Sequence, residues 1–252
     1  MSNHHEALVK SQFSGQAAAY LHSSVHAEGA DLRRLGEWLA DDQSANLLDV
    51  GCGAGHASFT AAQKVSTVTA YDLSEGMLAV VAQEAQKRGL SNITCAQGPA
   101  EALPFADNSF DIVISRYSAH HWHDMQSALI EIRRVLKPGG RFIMMDIASP
   151  GKPILDVWLQ TIEMLRDPSH IHNYSQGQWL AMVNQRGMVV DKLVGDKLHL
   201  EFSSWVARMK TPDNIIEAIR YLQSKVSDEV KSHFAIAEDG SFVSDTIMFQ
   251  AR

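Results

Sequence analysis

Residues 47–56 read LLDVGCGAGH, a short apolar run that ends in three closely spaced glycines. An apolar run of this length closed by glycine predicts a buried β-strand followed by a tight turn into a helix. Glycines at such a turn tolerate positive φ and let the backbone approach a ligand closely. A dinucleotide-binding loop needs a small third residue where His56 stands, so a pyrophosphate site is disfavoured, and no P-loop motif is present.

Strands and helices alternate through the surrounding sequence. Apolar and β-branched runs predict further strands at 67–71, 93–96, 110–114 and 142–147. Apolar residues at helical spacing predict helices around 77–85 and 125–136, the second ended by the breakers at 137–140. This alternation predicts an α/β fold, a Rossmann-like doubly wound, mostly parallel sheet with helices on both faces. In such a sheet the ligand binds at the carboxyl ends of the strands.

The whole chain, 1–252, is expected to form a single domain with three parts. An N-terminal helical flap (1–44) precedes the ligand-binding core (45–147), and 148–252 form the substrate side. In the flap, the spacing of Leu32, Leu35, Trp38 and Leu39 predicts an amphipathic helix. Strand-like segments at 188–200 and 245–250 flank a small helical cap at about 203–236.

Composition narrows the class of protein further. Hydrophobic residues make up 45% and charged residues 20%, as expected for a globular protein. A net charge of −7 argues against nucleic-acid binding, which needs clustered Lys and Arg. The two cysteines are too few for a disulfide framework, and neither a membrane span nor a signal peptide is present, so a cytoplasmic location is expected.

Five segments resemble, in order and spacing, the motifs of class I S-adenosylmethionine (SAM)-dependent methyltransferases. They are the glycine loop 49–55, the strand end 71–74, and the segments 98–105, 108–113 and 134–140. Together they cover roughly 45–147 and are far more specific than a glycine loop alone. Within this class the sequence is similar to the small-molecule branch that contains the ubiquinone/menaquinone C-methyltransferases. The resemblance implies SAM as cofactor and methyl transfer to a small-molecule acceptor.

The cofactor site is predicted on or beside these motifs. Its candidate residues are Asp49, Gly51, Gly53, Asp72, Leu73, Met77, Pro99, Ala100, Glu101 and Ser115. Asp72 at a strand end can accept hydrogen bonds from both ribose hydroxyls. Leu73 and Met77 are candidates for covering one face of adenine, although Met77 is equally consistent with helix packing. Asp49 either orients the loop or holds the ammonium group through water.

One position departs from the family pattern. Relatives often carry an acid after Gly98, where it accepts the adenine amino protons, but this chain has Pro99. Proline also lacks an N–H donor. Adenine recognition is therefore expected to depend on Ala100, on Glu101 or on water.

The segment 115–124, SRYSAHHWHD, follows the fourth strand, and topology puts it beside the transferred methyl group. Tyr117, His120 and His121 are the predicted catalytic residues, because they are clustered groups capable of acid–base chemistry near neutral pH. Arg116 is a candidate for binding an anionic substrate or for pairing with an acid.

Further substrate contacts are predicted outside this segment. Arg166 and His170 belong to a polar loop suited to anion binding or proton transfer, with a solvated loop as the alternative. Tyr20 can present its ring to the sulfonium cation. Adjacent histidines on one loop seldom converge on one ion, so no metal site is predicted.

Two alternatives and one open question remain from the sequence. A SAM-binding protein without turnover, acting as a sensor or partner subunit, is compatible with Pro99. A nucleotide-dependent oxidoreductase is disfavoured by His56. A homodimer is possible, whereas a nucleic-acid partner is not expected.

Overall fold

The structure, a computed structural model, describes residues 4–14 and 29–252 and contains one seven-stranded sheet in the order β3-β2-β1-β4-β5-β7-β6. The strands are β1 Asn46–Val50, β2 Thr67–Asp72, β3 Ile93–Gln97, β4 Phe110–Arg116, β5 Leu136–Ala148, β6 Val190–Leu200 and β7 Phe242–Ala251. The first five strands are parallel to one another, and β7 runs antiparallel between β5 and β6. The Rossmann-like prediction is thereby confirmed.

Helices cover both faces of this sheet. They are α1 His4–Ser14, α2 Ala30–Trp38, α3 His56–Ala62, α4 Glu75–Lys87, α5 Met125–Val135, α6 Pro153–Arg166, α7 Gln176–Gln185, α8 Phe202–Arg208, α9 Asp213–Lys225 and α10 Asp228–His233. A 3-10 turn, Ala119–His121, follows β4. Alternate residues of the central strands enter two separate cores, as in Leu47 and Leu48 of β1, because successive strand side chains point to opposite faces.

Local capping explains where several helices begin. The Ser74 hydroxyl accepts a hydrogen bond from the Met77 N–H at the start of α4. Asp124 caps α5 by accepting from two backbone N–H groups, and Ser175 forms a capping box with Gln178 at the start of α7. These caps fix the direction in which each helix leaves the carboxyl end of the sheet.

The predicted N-terminal flap divides into two structurally different parts. Helix α2 is not a flap, because Leu32, Leu35 and the following Leu39 are buried in the core against α3. Helix α1 instead lies near α4, and its Phe13 packs against a cluster formed by Ala54 and Met77.

The C-terminal half matches its predicted elements with one difference, the start of the fifth strand. The breakers end α5 at Val135, but the chain then pairs directly as β5 from Leu136 rather than from Phe142. Gly139 at φ +77° and a register shift between Phe110 and Ile112 accommodate the extra residues. Three helices form the cap region, with α8 beside the sheet and α9 and α10 packed against α6. No helix in the described ranges 4–14 and 29–252 is long and apolar enough to cross a membrane.

Candidate active site

A cleft lies at the carboxyl ends of the parallel strands. The segments that follow β1, β2, β3 and β4 contribute Gly51, Leu73, Gly98 and Tyr117 to its wall. Helix α1 also lines the cleft through His5, Glu6, Val9 and Phe13.

The glycine loop has two positions at which a side chain would change the site. Gly51 has φ +70°, and a Cβ there would lie 1.8 Å from the Ser118 Oγ atom. Gly53 has φ +52°, and a Cβ there would meet no atom within 4 Å. Gly51 is therefore required by packing and backbone geometry, whereas Gly53 leaves open space beside the backbone for a ligand.

Asp72 is the last residue of β2, and both of its carboxylate oxygens accept hydrogen bonds from backbone N–H groups. Its Oδ2 accepts from the Gly53 N–H at 2.8 Å and its Oδ1 from the Ser74 N–H at 2.8 Å. Burial raises the pKa of Asp72, and these backbone hydrogen bonds oppose the rise. Each oxygen retains a lone pair, so the carboxylate can accept two ribose hydroxyls as predicted.

The predicted adenine contacts line the same cleft. Leu73, Met77, Pro99, Ala100 and Glu101 are all part of its wall. The Tyr71 hydroxyl donates to the Pro99 carbonyl at 3.1 Å, which holds the segment that departs from the family pattern. Glu101 Oε1 accepts from the Asp124 N–H at 3.1 Å, so its carboxylate is already used to order the segment after β4.

Asp49 and Ser115 do not line the cleft in the described part of the chain. Asp49 is fully buried beneath the glycine loop, and its Oδ2 accepts from the Ser58 hydroxyl at 2.6 Å. No described group hydrogen-bonds to Asp49 Oδ1 or to the Ser115 hydroxyl. Burial raises the pKa of Asp49 to about 7, although the Ser58 hydrogen bond opposes this. Of its two predicted roles, this position favours orientation of the loop.

Replacing Asp49 by asparagine is expected to change how stability depends on pH. Folding raises the pKa of this carboxyl from its ordinary value of 3.8 to about 7, so between these two pH values only the unfolded chain loses the proton. Its stabilising contribution is complete at low pH and is lost as pH rises towards 7. Asparagine does not ionise. Between pH 5 and pH 8 the free energy of unfolding of the Asp49→Asn variant should therefore rise by ~3 kcal/mol relative to that of the wild-type protein. Urea denaturation at both pH values measures this, and a constant difference would contradict it.

The segment after β4 places an imidazole between β5 and the cleft. His120 Nδ1 lies 2.7 Å from Asp146 Oδ1, and within the described ranges no group hydrogen-bonds to His120 Nε2. Burial disfavours the imidazolium, but the charge and hydrogen bond of Asp146, aided by Glu163 and Asp167, outweigh this and raise the pKa of His120. His120 lines the cleft, so Nε2 is the nitrogen placed to exchange a proton with a bound molecule.

His121 is held differently, although it also lines the cleft. Its Nδ1 lies 3.1 Å from the Ser169 carbonyl oxygen, and its Nε2 lies 3.9 Å from Asp167 Oδ2. Burial and the charge of His120 lower the pKa of His121 to about 4. His121 therefore stays neutral and is engaged by the loop after α6, which distinguishes the two histidines that the sequence left equivalent.

Tyr117 and Arg116 form a stacked pair at the end of β4. Tyr117 has φ +49°, an uncommon conformation for a non-glycine residue, and the Arg116 guanidinium carbon lies 4.7 Å from its ring centroid. Burial and the charge of Asp31 raise the pKa of Tyr117, so its phenol remains protonated. Arg116 forms an ion pair with Asp31, the second of its two predicted outcomes.

The remaining substrate candidates occupy three different places. Arg166 lines the cleft, donates through Nε to the Trp205 carbonyl at 2.9 Å, and lies 3.3 Å from Glu163 Oε2. His170 does not line the described cleft: it is buried behind it, and its Nε2 bonds Gln160 Oε1 at 2.9 Å. The prediction that His170 contacts substrate therefore requires correction, because its ring lies behind the cleft wall. Burial also lowers the pKa of His170, so its imidazole stays neutral. Tyr20 lies outside the described residues.

Several residues of the site had no clear signal in the sequence. Glu163 and Asn173 lie far from the family motifs, whereas Asp146 lies on β5 just after the last motif, and helix α1 and Trp205 lie in the predicted flap and cap. A strand-end acid beside the cleft was the one available indication, and it applied to Asp146 as it did to Asp72. Residues 4–14 and 29–252 contain no group of three or more His, Cys, Asp or Glu side chains arranged to hold a metal ion.

Comparison with known proteins agrees with this geometry. The sequence pattern of a family described as "Methyltransferase domain" matches residues 48–144. The chain is 60% identical over 201 residues to the uncharacterized protein YafE of Escherichia coli, covering 80% of this chain and 97% of that protein. It is 35% identical to the uncharacterized methyltransferase YcgJ of Bacillus subtilis, covering 89% and 88% of the two chains.

Solved structures show the same relationship. The crystal structure of YcgJ has a TM-score of 0.82 at 33% identity and covers 87% of this chain and 97% of its own. A putative methyltransferase from Bacillus halodurans has a TM-score of 0.85 at 31% identity and covers 89% and 99%. The fold and the cleft therefore define a SAM-dependent methyltransferase. The chain belongs to the methyltransferase domain family that these relatives share.

Proposed function

We propose that this methyltransferase transfers a methyl group from SAM to a small-molecule acceptor whose proton is removed by His120. The observation that carries the proposal is that Asp72 and His120, which is held by Asp146, both line one cleft. A pair of binding and proton-accepting groups in one cleft is typical of an enzyme rather than of a sensor.

The residues present fit SAM. Open space beside Gly53 and free lone pairs on Asp72 provide a place for the ribose, and Leu73 and Met77 offer apolar surface to adenine. When bound, SAM supplies an electrophilic methyl group on its sulfonium. The phenyl ring of Phe13 and the indole of Trp122 also line the cleft and can face a cation.

The acceptor is activated by the chain's own groups. Asp146 Oδ1 accepts a hydrogen bond from the Nδ1–H of His120, which fixes the tautomer and leaves the Nε2 lone pair facing the cleft. Nε2 takes the proton from the nucleophilic atom of the acceptor, and the methyl group that SAM would supply would replace that proton as its bond to sulfur breaks. Tyr117, still protonated, acts as a hydrogen-bond donor beside it. Arg116 supports that ring, and Arg166 contacts the acceptor.

The proposal includes the setting of the enzyme. Cys52 and Cys95 are both free thiols, which suits a cytoplasmic location. The acidic net charge of −7 suits a small-molecule acceptor better than a nucleic acid. Assembly as a homodimer is part of the same proposal and is tested by light scattering of the purified protein.

A screen of a metabolite extract tests the function directly. The extract is incubated with the protein and SAM, and mass spectrometry seeks a metabolite that gains one methylene only when both are present. Equal release of S-adenosylhomocysteine with and without extract would contradict the proposal. Binding of SAM without any product would favour the sensor alternative.

Replacing Asp146 by asparagine is expected to shift the pH profile of turnover. His120 must be neutral to accept a proton, so turnover rises as pH increases through its pKa, which Asp146 holds above 6.5. Without that carboxylate, burial dominates and the pKa falls, so the acidic limb should move to lower pH. The rate of S-adenosylhomocysteine formation against pH measures the shift, with the exposed Asp213→Asn as control. An unmoved limb would contradict the assigned role of Asp146.

A further inference from the structure

The half of the cleft remote from the glycine loop has a mixed wall. Its apolar part consists of Ile147, Leu198, Leu200 and the Trp205 indole. Its polar part comes from α6 and the loop that follows, through Glu163, Arg166 and Asn173. In a pocket with an apolar wall and few polar groups, the positions of those polar groups determine which ligands bind.

Asn173 is held rigidly at the edge of this half. Its backbone N–H donates to Gln160 Oε1 at 3.0 Å, and its carbonyl accepts from Gln160 Nε2 at 2.8 Å. Gln160 is itself fixed by Asp156 and His170 at 2.9 Å each. This clamp holds the backbone of Asn173 on both sides and leaves its side-chain amide for another partner.

The side-chain amide of Asn173 has a donor that nothing described satisfies. The residue is only 2% exposed, and Nδ2 has no hydrogen-bond acceptor in the described part of the chain. A buried donor without an acceptor destabilises a protein, so such groups are uncommon unless a ligand or water completes them. Because Asn173 lines the cleft, an oxygen of a bound molecule can supply the acceptor.

Arg166 offers a second donor in the same half. Its Nε donates to the Trp205 carbonyl, its Nη1 is directed to Glu163, and the guanidinium lies 4.8 Å from the Trp205 ring centroid. Within ranges 4–14 and 29–252, its Nη2 makes no hydrogen bond. The side chain is 11% exposed, so its position is fixed by packing and by these two bonds.

The charged groups around the Asn173 and Arg166 donors determine which kind of oxygen atom can bind to them. Glu163 already compensates the guanidinium of Arg166, and the buried carboxylate of Asp167 lies on the next residue. Arg208 lines the same half of the cleft, so two arginines balance the two acids. An anionic ligand would add uncompensated charge, and an ammonium would add charge and also leave the two donors unmatched. A neutral oxygen satisfies the donors without adding charge.

We infer that Asn173, together with Arg166, forms a subsite that selects acceptors carrying a neutral carbonyl-type oxygen next to an apolar body. The inference depends on the proposed function, since it concerns the acceptor half of the same cleft. Asn173 is then a specificity-determining residue: its Nδ2 donates to the oxygen, while the apolar body lies against Trp205 and Leu200. The methyl transfer itself takes place beside His120, outside this subsite.

Three probes of nearly equal shape test the subsite. Acetophenone carries a carbonyl oxygen, α-methylstyrene replaces that oxygen by CH₂, and benzoate replaces the methyl ketone by a charged carboxylate. Each is titrated by NMR into protein saturated with S-adenosylhomocysteine. Acetophenone is expected to bind more tightly than either of the others. If α-methylstyrene or benzoate binds as tightly, or if acetophenone does not bind, the subsite is disproved, and no variant is needed for this result.

Two variants assign the preference to Asn173. Asn173→Ala removes the donor, and Asn173→Asp replaces it by a carboxylate, so acetophenone affinity should fall several-fold in the first and about tenfold or more in the second. Asn184→Asp, on the exposed face of α7, makes the same change in charge away from the cleft and should leave affinity unchanged. A carbonyl preference that survives in Asn173→Ala overturns the assignment.

A prior titration separates this inference from the proposed function. Protein that fails to bind S-adenosylhomocysteine contradicts the proposed function. Protein that binds it, but shows no carbonyl preference, contradicts only the subsite.

Discussion

Replacing Asp72 by alanine is expected to weaken S-adenosylhomocysteine binding by about 10²- to 10⁴-fold. Hydrogen bonds to a charged group contribute ~1.5–3 kcal/mol each, and the ribose offers two hydroxyls to this carboxylate. The change also removes the acceptor that orders the Gly53 and Ser74 N–H groups, so the loop loses its preorganised shape. Isothermal titration calorimetry measures the affinity.

An exposed carboxylate three residues further along the chain provides the control for Asp72. Glu75 is exposed at the first position of α4 and does not line the described cleft, so Glu75→Ala changes the net charge equally without touching the ribose site. We expect its affinity to remain that of the unmodified protein. Wild-type affinity in Asp72→Ala would contradict the location of the cofactor site.

Replacing His120 by asparagine is expected to lower turnover by about 10²- to 10⁴-fold while leaving S-adenosylhomocysteine affinity unchanged. General-base groups contribute rate factors of this size, and an amide cannot accept the proton of the acceptor. Asparagine keeps a donor for Asp146, so the buried carboxylate is not left unpaired. The measurement is the rate of S-adenosylhomocysteine formation with the acceptor found in the metabolite screen.

His121 is the neighbouring residue against which this result is judged. Because its Nδ1 faces the Ser169 carbonyl and its pKa is lowered to about 4, His121→Asn should reduce turnover much less than His120→Asn. Equal losses in the two variants would show that the structure does not distinguish their roles. Full turnover in both variants would show that neither His120 nor His121 acts as an acid or a base.

The sequence allowed the fold and much of the cofactor site to be predicted because their signals are local. Gly51 and Gly53 follow an apolar strand, and Asp72 ends the next one, so parallel pairing alone brings them to one edge of the sheet. The structure has Gly53 N–H bonded to Asp72, as that reasoning requires. Asp49 lies in the same motif, but its burial depends on α3 and could not be inferred from spacing.

The acceptor side of the cleft was harder to predict from the sequence because its contacts join segments that are distant along the chain. The pairing of His120 with Asp146 links residues 26 apart, and Asn173 is fixed by Gln160, 13 residues earlier. The sequence analysis assigned Arg166 and His170 to one polar loop, yet Arg166 is the last residue of α6 and lines the cleft, whereas His170 is buried behind it. Sequence spacing in an irregular loop does not determine side-chain direction, since no helical or strand period applies there.

The sequence by itself determined that this chain builds a parallel sheet with a glycine loop and an acid at the end of the second strand, because hydrophobic period and glycine placement act over a few residues. Only the tertiary structure decided which histidine faces the cleft with a free nitrogen, and which buried groups surround the acceptor. Those outcomes depend on packing between β5, α6 and the loop after α6, and the energy of a buried charge or donor is set by neighbours that are remote along the chain.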